Sequence, residues 1–281
     1  MSSSRGTTLR IGAVAYDPKV VTIWEGFQQY FAKRGVLIDY ILYSNYDSQV
    51  LANLAGEIDV AWNSPLAWVR SQIESGGRCH ALAMRDTDRD LTTKILVRKD
   101  SGLAALVHLE GKTVAVGASD SPQATLIPLS MLAEDGVSPD NGCRVLYHNV
   151  MVGKHGDHVG GERDAARALA TGNADAACVL DANYSVFINE GTLDPGTTRV
   201  LASTLPYDHC NFTAPSALPE SRTRPFVEAL LAMSFDDPAV RSLMELEGLR
   251  KWLPGRTSGY QQLEKAVERF SAYSRAARKG Q

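Results

Sequence analysis

The 281-residue chain lacks the marks of several protein classes. Its four cysteines contain no C-x-x-C pair, a pattern that predicts buried thiols instead of a disulfide framework or a zinc site. No run of eighteen apolar residues occurs, so we expect no membrane insertion. The 29 basic and 32 acidic residues nearly balance, and no basic cluster predicts binding to nucleic acid.

The N-terminal stretch MSSSRGTTLRIGAVAY contains one early Arg but no apolar segment of signal-peptide length. We therefore expect the chain as written to be cytoplasmic, and periplasmic if a leader has been removed.

Apolar runs alternate with segments of helical periodicity over most of the chain. Strands are predicted at 9–16, 37–44, 58–62, 93–100, 143–149, 174–180 and 197–204, and a helix at 122–136. This alternation predicts an α/β fold with parallel βαβ units. The tail from Pro225 onward is predicted to be helical and to pack on the first lobe.

An internal echo indicates two related Rossmann-like lobes. GEIDVAW (56–62) and GNADAAC (172–178) share G-x-x-D-x-A, and each follows a helix and enters a strand. We assign 1–93 and 205–281 to lobe 1, and 94–204 to lobe 2. The strands near 91–99 and 197–213 are expected to act as hinges.

The segment GASDSPQATLIPLSML (117–132) is the strongest candidate for a binding site. It follows a predicted strand and begins a helix, for which Ser119, Asp120 or Ser121 would be a suitable N-cap. The unpaired N–H groups of such a turn, with nearby hydroxyls, also suit an oxyanion. Taken alone, the segment is typical of a capped helix.

A second turn, WNSPLAW (62–68), repeats this pattern in the first lobe. Because ligands of open α/β sheets bind beyond the carboxyl ends of the strands, we expect Asn63 and Ser64 to face Ser119–Thr125 across an interlobe cleft. Other residues that follow predicted strands would line the same rim: Tyr16, Tyr43, Asp181 and Tyr184. Half-buried packing or helix capping are alternatives for these side chains.

The stretch GKHGDHVGG (153–161) raises the alternative of a metal site. His155, Asp157 and His158, joined by His209 and Cys210, would give a mixed ligand set, although H-x-D-H matches no metal motif. We favour a ligand hydrogen bond from His158 or His209 and expect no cofactor. A Cys210–His209 nucleophilic pair is disfavoured, since sequence neighbours in a strand point in opposite directions.

The ordered set of segments resembles the phosphonate/phosphate/phosphite substrate-binding proteins of ABC importers, which have the type II periplasmic-binding-protein fold. LRIGAVAY, GEIDVAWNSPLAWVRS and GKHGDHVGGERDAARALATGNADAACVLDANY carry this likeness, together with the segment around GASDSPQATL and WLPGRTSGYQQLEKAV. The likeness covers about residues 9 to 270.

The resemblance implies that a tetrahedral group binds at the helix start, formed here by Ser119, Ser121, Gln123, Ala124 and Thr125. Tyr16 and Asn63-Ser64 would contact the ligand from the first lobe, and Asp181 would contact an amino group. Asp120, Pro122 and Gln123 depart from the family's run of small and hydroxyl residues.

The resulting hypothesis is a solute-binding protein that captures a small oxyanion and has an ABC permease as partner. The alternative is a cytosolic enzyme of the same fold that acts on a small carboxylate or phosphonate, with or without a metal.

Overall fold

A computed structural model of the chain describes residues 8–139, 141–149 and 159–279, the last nine of them by their backbone alone. The chain divides into two compact units. Unit 1 comprises Met1–Arg89 with Asp208–Tyr260, and unit 2 comprises Asp90–Tyr207 with Gln261–Gln281.

The described residues form strands at the following positions: β1 (Leu9–Val14), β2 (Ile38–Tyr43), β3 (Val60–Asn63), β4 (Cys79–Arg85), β5 (Thr93–Arg98), β6 (Thr113–Val116), β7 (Arg144–Tyr147), β8 (Ala176–Leu180), β9 (Thr198–Ser203), β10 (Asn211–Pro215) and β11 (Trp252–Pro254). The α-helices are α1 (Lys19–Ala32), α2 (Tyr46–Leu54), α3 (Pro65–Ser75), α4 (Ile127–Glu134), α5 (Val159–Ala170), α6 (Asp181–Asn189), α7 (Glu220–Leu231), α8 (Pro238–Glu247) and α9 (Gln261–Lys279).

Each unit contains one mixed sheet, which confirms the α/β class. The strand order is β11-β4-β10-β3-β1-β2 in unit 1 and β7-β6-β8-β5-β9 in unit 2. Only β2-β1-β3 and β7-β6-β8 are parallel, and the remaining neighbours pair antiparallel. The expected parallel units are therefore present in both sheets, and β5 and β10 add antiparallel pairs because no crossover helix precedes them.

The sequence echo has a structural counterpart at the start of one strand in each unit. The Asp59 carboxylate accepts the Arg10 N–H at 2.8 Å, and the Asp59 N–H donates back to the Arg10 carbonyl, also at 2.8 Å. Asp175 exchanges the same two hydrogen bonds with Thr113, again at 2.8 Å. Each aspartate thus fixes the register between the two strands of its unit that precede the candidate turns.

The two cores differ in chemistry. Unit 1 is centred on aromatic side chains of α1, β3, β10 and β11: Trp24, Phe27, Phe31, Trp62, Phe212 and Trp252. The core of unit 2 is aliphatic and packs β6 and β8 against α4 and α5. The four cysteines are buried thiols, as their spacing predicts.

The C-terminal helix departs from the expected division of the chain. The sequence placed 205–281 with the first lobe, but α9 packs against α4 in unit 2. Leu263 and Ala266 are buried there, and Phe270 packs against the aliphatic core. The Arg269 guanidinium adds an ion pair with Glu134 at 3.7 Å. The amphipathic pattern of α9 predicts that one face of the helix is buried, but it does not predict against which unit the helix packs.

Candidate functional site

The segment between β6 and α4 holds the residues for which the sequence predicts an oxyanion site. Ser121 caps the helix there, since its hydroxyl accepts the Ala124 N–H at 3.2 Å. Gly117 packs tightly against the same turn, where a Cβ would lie 2.8 Å from that of Ala124. The Ser119 N–H donates to the Asn149 side chain at 2.9 Å, and Ser119 and Asp120 are both exposed.

The first turn of this helix is widened into a π-helix over Pro122–Leu126. The Ile127 N–H donates to the Pro122 carbonyl, five residues earlier. Pro128 accounts for the widening, because it has no N–H for the Ala124 carbonyl and its ring would crowd that carbonyl in a regular helix. The Ala124 carbonyl instead accepts the Gly117 N–H at 3.3 Å. Short π-helical turns are frequent at functional sites.

Two polar side chains of this turn are buried without a partner. Gln123 and Thr125 are each 1% exposed, yet Nε2 and Oε1 of Gln123 and Oγ1 of Thr125 have no hydrogen-bond partner. Thr93 donates to the main-chain carbonyl of Gln123 at 2.6 Å and so holds the turn beside β5. Because buried polar atoms are nearly always paired, three unpartnered atoms on one turn make this turn a candidate binding site.

Asp181 and Tyr184 follow β8 in the same unit, with a cation beside them. The Lys94 ammonium lies 3.0 Å from the Asp181 carboxylate and 5.8 Å from the centre of the Tyr184 ring. Asp181 remains 52% exposed, so the ion pair is a weak surface interaction. Lys94 was not predicted as a site residue, because a lysine in the predicted strand TKILVRKD is typical of a solvated face.

Sequence reasoning also missed Glu162, a fully buried carboxylate in the first turn of α5. It accepts the Leu180 N–H at 2.9 Å and the Asn183 amide at 3.0 Å. Its Cγ lies 3.7 Å from where a Cβ on Gly117 would be. Glu162 therefore packs between the turn after β6 and the turn after β8 and helps to position both.

His148 is a further missed residue at the end of β7. Its main-chain N–H donates to the carbonyls of Val116 and Gly117 at 3.2 Å each, and the Nε2 of its ring is buried without a partner. Burial lowers the pKa of His148 below its usual value, which favours the neutral ring.

In unit 1, Asn63 is engaged in a buried polar network. Its side-chain oxygen accepts from Gln49 at 2.8 Å, and its amide donates to Thr213 at 3.0 Å and to Ser71 at 3.3 Å. Ser64 caps α3 by accepting the Ala67 N–H at 3.2 Å. Both polar functions of Asn63 thus have protein partners, in contrast to those of Gln123.

The two predicted tyrosines of unit 1 are half-buried. Tyr16 packs against the aromatic core. Burial, and to a smaller extent the nearby Glu247 carboxylate, raises the pKa of its hydroxyl. Tyr43 packs beside Ala52 and Ile58, and burial raises its pKa as well. Both side chains therefore combine an apolar contact with a neutral hydroxyl.

His209 belongs to a buried charged cluster in unit 1. Its Nδ1 lies 3.3 Å from Asp88 Oδ1 and 3.1 Å from Cys210 Sγ. Arg85 donates to both oxygens of Asp88 at 2.6 and 2.8 Å, and lies 3.5 Å from Glu247. Burial alone would raise the pKa of Asp88, but the Arg85 guanidinium holds it well below its usual range.

This cluster corrects the expectation that His209 and Cys210 point apart. They precede β10 instead of lying within it, so strand alternation does not apply to them. The ligand atoms of Asp88, His209 and Cys210 lie within 4.8 Å of one another, a spacing that a metal ion could use. However, the oxygens of Asp88 already accept from Arg85 and from the Cys210 N–H at 3.2 Å, which favours a structural role.

The remaining residues of the metal alternative, His155, Asp157 and His158, lie outside the described residues, as does the proposed ligand contact of His158.

Residues 12–260 match the model of a family described as periplasmic substrate-binding proteins of phosphonate ABC transporters. The chain belongs to this family. Its members are normally periplasmic, and among the described residues no helix is both long and apolar enough to span a membrane.

Solved structures of similar proteins show that the fold is of the type II periplasmic-binding-protein class. PhnD1 from Prochlorococcus marinus, in complex with methylphosphonate, is 16% identical with a TM-score of 0.65, covering 95% of this chain and 99% of that chain. XAC2383 from Xanthomonas citri, bound to chloride ion, is 19% identical with a TM-score of 0.68, covering 95% and 99%. The aliphatic sulphonate binding protein SsuA from Escherichia coli is 18% identical with a TM-score of 0.57, covering 95% and 87%.

Proposed function

We propose that this protein captures a small phosphonate, phosphate or phosphite at the turn Ser119–Thr125 and presents it to an ABC permease. The observation that carries this proposal is the set of unpartnered, buried atoms of Gln123 and Thr125 at the start of a helix. A bound oxyanion would accept hydrogen bonds from the Thr125 hydroxyl and the Gln123 amide, in a place where the helix dipole favours negative charge.

The charge of Asp120 does not oppose this assignment strongly. Asp120 is exposed, so water and salt screen its carboxylate, whereas Gln123 and Thr125 act where water is excluded. We infer that Asp120 and Ser119 lie at the rim and influence how the ligand enters more than how tightly it is held.

The other predicted contacts differ in how freely they can serve a ligand. Tyr16, Tyr43 and Tyr184 present aromatic faces or hydroxyls, whereas Asn63 would have to give up network hydrogen bonds. Ser64 and His209 are held by a helix cap and by the Asp88 cluster. Capture in an interlobe cleft, with hinges near 91–99 and 197–213, stays a prediction.

Calorimetric titration against phosphate, phosphite, sulfate, methylphosphonate and 2-aminoethylphosphonate tests the proposal. We expect saturable binding of at least one phosphorus oxyanion with a stoichiometry of one. The absence of heat from all of them, together with stoichiometric metal in the purified protein, would favour the enzyme alternative and reject the proposal.

The family supports a proposed partner and a proposed location. We propose that the protein works in the periplasm with a permease and its ATPase. Ligand-loaded protein should raise the ATPase rate of that transporter reconstituted in liposomes, and ligand-free protein should not. Recovery of the protein only from the cytoplasmic fraction of the producing cells would contradict the location.

A further inference from the structure

Gln123 differs from the other residues of the candidate turn because it leaves a hydrogen-bond acceptor as well as donors without a partner. Serine and threonine hydroxyls rotate, and each can donate a hydrogen bond to an anion while its oxygen accepts none. A primary amide has a fixed geometry, with the acceptor Oε1 on the same carbon as the donor Nε2. Both atoms of Gln123 are buried and unpartnered.

An anion with all of its oxygens deprotonated can satisfy only the donor half of this amide. The oxygen half would then lie beside a negative ligand in a site from which water is excluded. A buried acceptor left in this state costs binding free energy, and the proximity of like partial charges adds to the cost. Among oxyanions with no other donor group, only one that carries a proton on an oxygen can satisfy Oε1.

The protein around Gln123 does not offer that proton. The Thr93 hydroxyl, its close neighbour, donates to the main-chain carbonyl of Gln123 and contacts the Tyr207 hydroxyl at 2.7 Å. The Ser121 hydroxyl is held at the helix cap, where it accepts the Ala124 N–H. The described surroundings therefore fix the turn without satisfying the amide of Gln123.

We propose that Gln123 reads the protonation state of the ligand, so that the site prefers a hydrogenphosphonate or hydrogenphosphate, with one P–O–H group, over a sulfonate or sulfate of the same shape. This inference rests on the proposed function, since it requires the oxyanion to bind at this turn. In the complex, Nε2 donates to one ligand oxygen and Oε1 accepts from the P–O–H group. Sulfonates have no such proton at neutral pH and leave Oε1 unsatisfied.

Methylphosphonate and methanesulfonate are matched probes, because they differ in the central atom and in the proton but hardly in size. We expect the wild-type protein to bind methylphosphonate more tightly, roughly tenfold to a hundredfold, which corresponds to the cost of one buried unsatisfied acceptor. Gln123→Leu removes the acceptor and the donor together, and the ratio of the two affinities should approach one. Thr125→Val is the control: it removes a donor that serves both ligands and should weaken both by a similar factor.

Proton counting gives a second readout. At mildly alkaline pH, calorimetry in buffers of different protonation enthalpy should show that the wild-type protein takes up a proton with methylphosphonate but none with methanesulfonate. Gln123→Leu should lose this uptake. A proton taken up by a protein group instead of the ligand would accompany both ligands and would refute the inference.

The outcomes separate this inference from the proposed function. If the wild-type protein binds neither phosphate, phosphite nor methylphosphonate, the proposed function itself is wrong. If it binds methylphosphonate and methanesulfonate equally, or if Gln123→Leu leaves their ratio unchanged, only the inference is wrong. Should Gln123→Leu bind nothing, Gln123→Glu, which retains an acceptor, decides: it must still prefer methylphosphonate, and loss of that preference overturns the inference.

Discussion

Replacement of Thr125 by valine should make the ligand-free protein more stable and the complex weaker. Valine has the shape of threonine without the hydroxyl, and the Thr125 Oγ1 is buried without a partner. Release of a buried unsatisfied hydroxyl stabilises the folded state by about 1 kcal/mol or more. Loss of the hydrogen bond to a charged ligand costs about 1.5 to 3 kcal/mol, which weakens binding roughly tenfold to a hundredfold.

Thermal unfolding and calorimetric titration with methylphosphonate measure the two effects separately. For a chain of this size, 1 kcal/mol corresponds to a rise in the melting temperature of about 2 to 4 °C. Because the chain has two units, the transition of unit 2 should move, and that of unit 1 should stay where it is.

Ser130 provides a matched control on the same helix. Its hydroxyl is also buried without a partner, but it lies in α4, beyond the π-helical turn. Ser130→Ala should therefore raise the melting temperature without a change in affinity. If both variants weaken binding equally, or if Thr125→Val leaves the affinity unchanged, then unpartnered hydroxyls do not mark the binding site and the reasoning fails.

Two further predictions concern the charged groups. Asp88→Asn leaves the Arg85 guanidinium with Glu247 alone in a buried site and should lower the free energy of unfolding by about 3 kcal/mol or more. Because the folded-state pKa of Asp88 is depressed, the contribution of its carboxylate to stability is complete above about pH 4 and is lost as the pH falls below that value. Acid unfolding monitored by circular dichroism should therefore be less steep in the variant, and an unchanged slope would argue against the ion pair. Lys94→Met releases the Asp181 carboxylate from its ion pair and should raise the affinity for 2-aminoethylphosphonate relative to methylphosphonate several-fold, whereas an equal change for both would place Asp181 away from the ligand.

The sequence was sufficient to predict where this fold repeats itself. The β6 strand, the following turn and the Ser121 cap lie where hydrophobic periodicity and capping residues indicate. Such features depend on local interactions, which a single sequence displays directly. For the same reason, the strand that begins within each G-x-x-D-x-A segment was predicted from the sequence.

Features that depend on distant contacts were not predictable in this way. β4 and β11 pair with each other across more than 160 residues of sequence, and neither was predicted as a strand. Lys94 and Glu162 become candidates only through partners at Asp181 and Leu180. The π-helical turn could have been anticipated, since Pro128 has no N–H to donate to the Ala124 carbonyl in a regular helix.

The equivalent aspartates Asp59 and Asp175 affect how many positions of this fold must keep a particular residue. Asp59 exchanges two hydrogen bonds with Arg10, and Asp175 exchanges two with Thr113. Each aspartate therefore fixes the register of the neighbouring strand. With the register fixed at one end by a single polar residue, the other strand positions need only be apolar and of suitable size. One or two residues can thus specify the register of a strand while its other residues are free to vary. The turn that follows the strand then lies at the same place in each sheet.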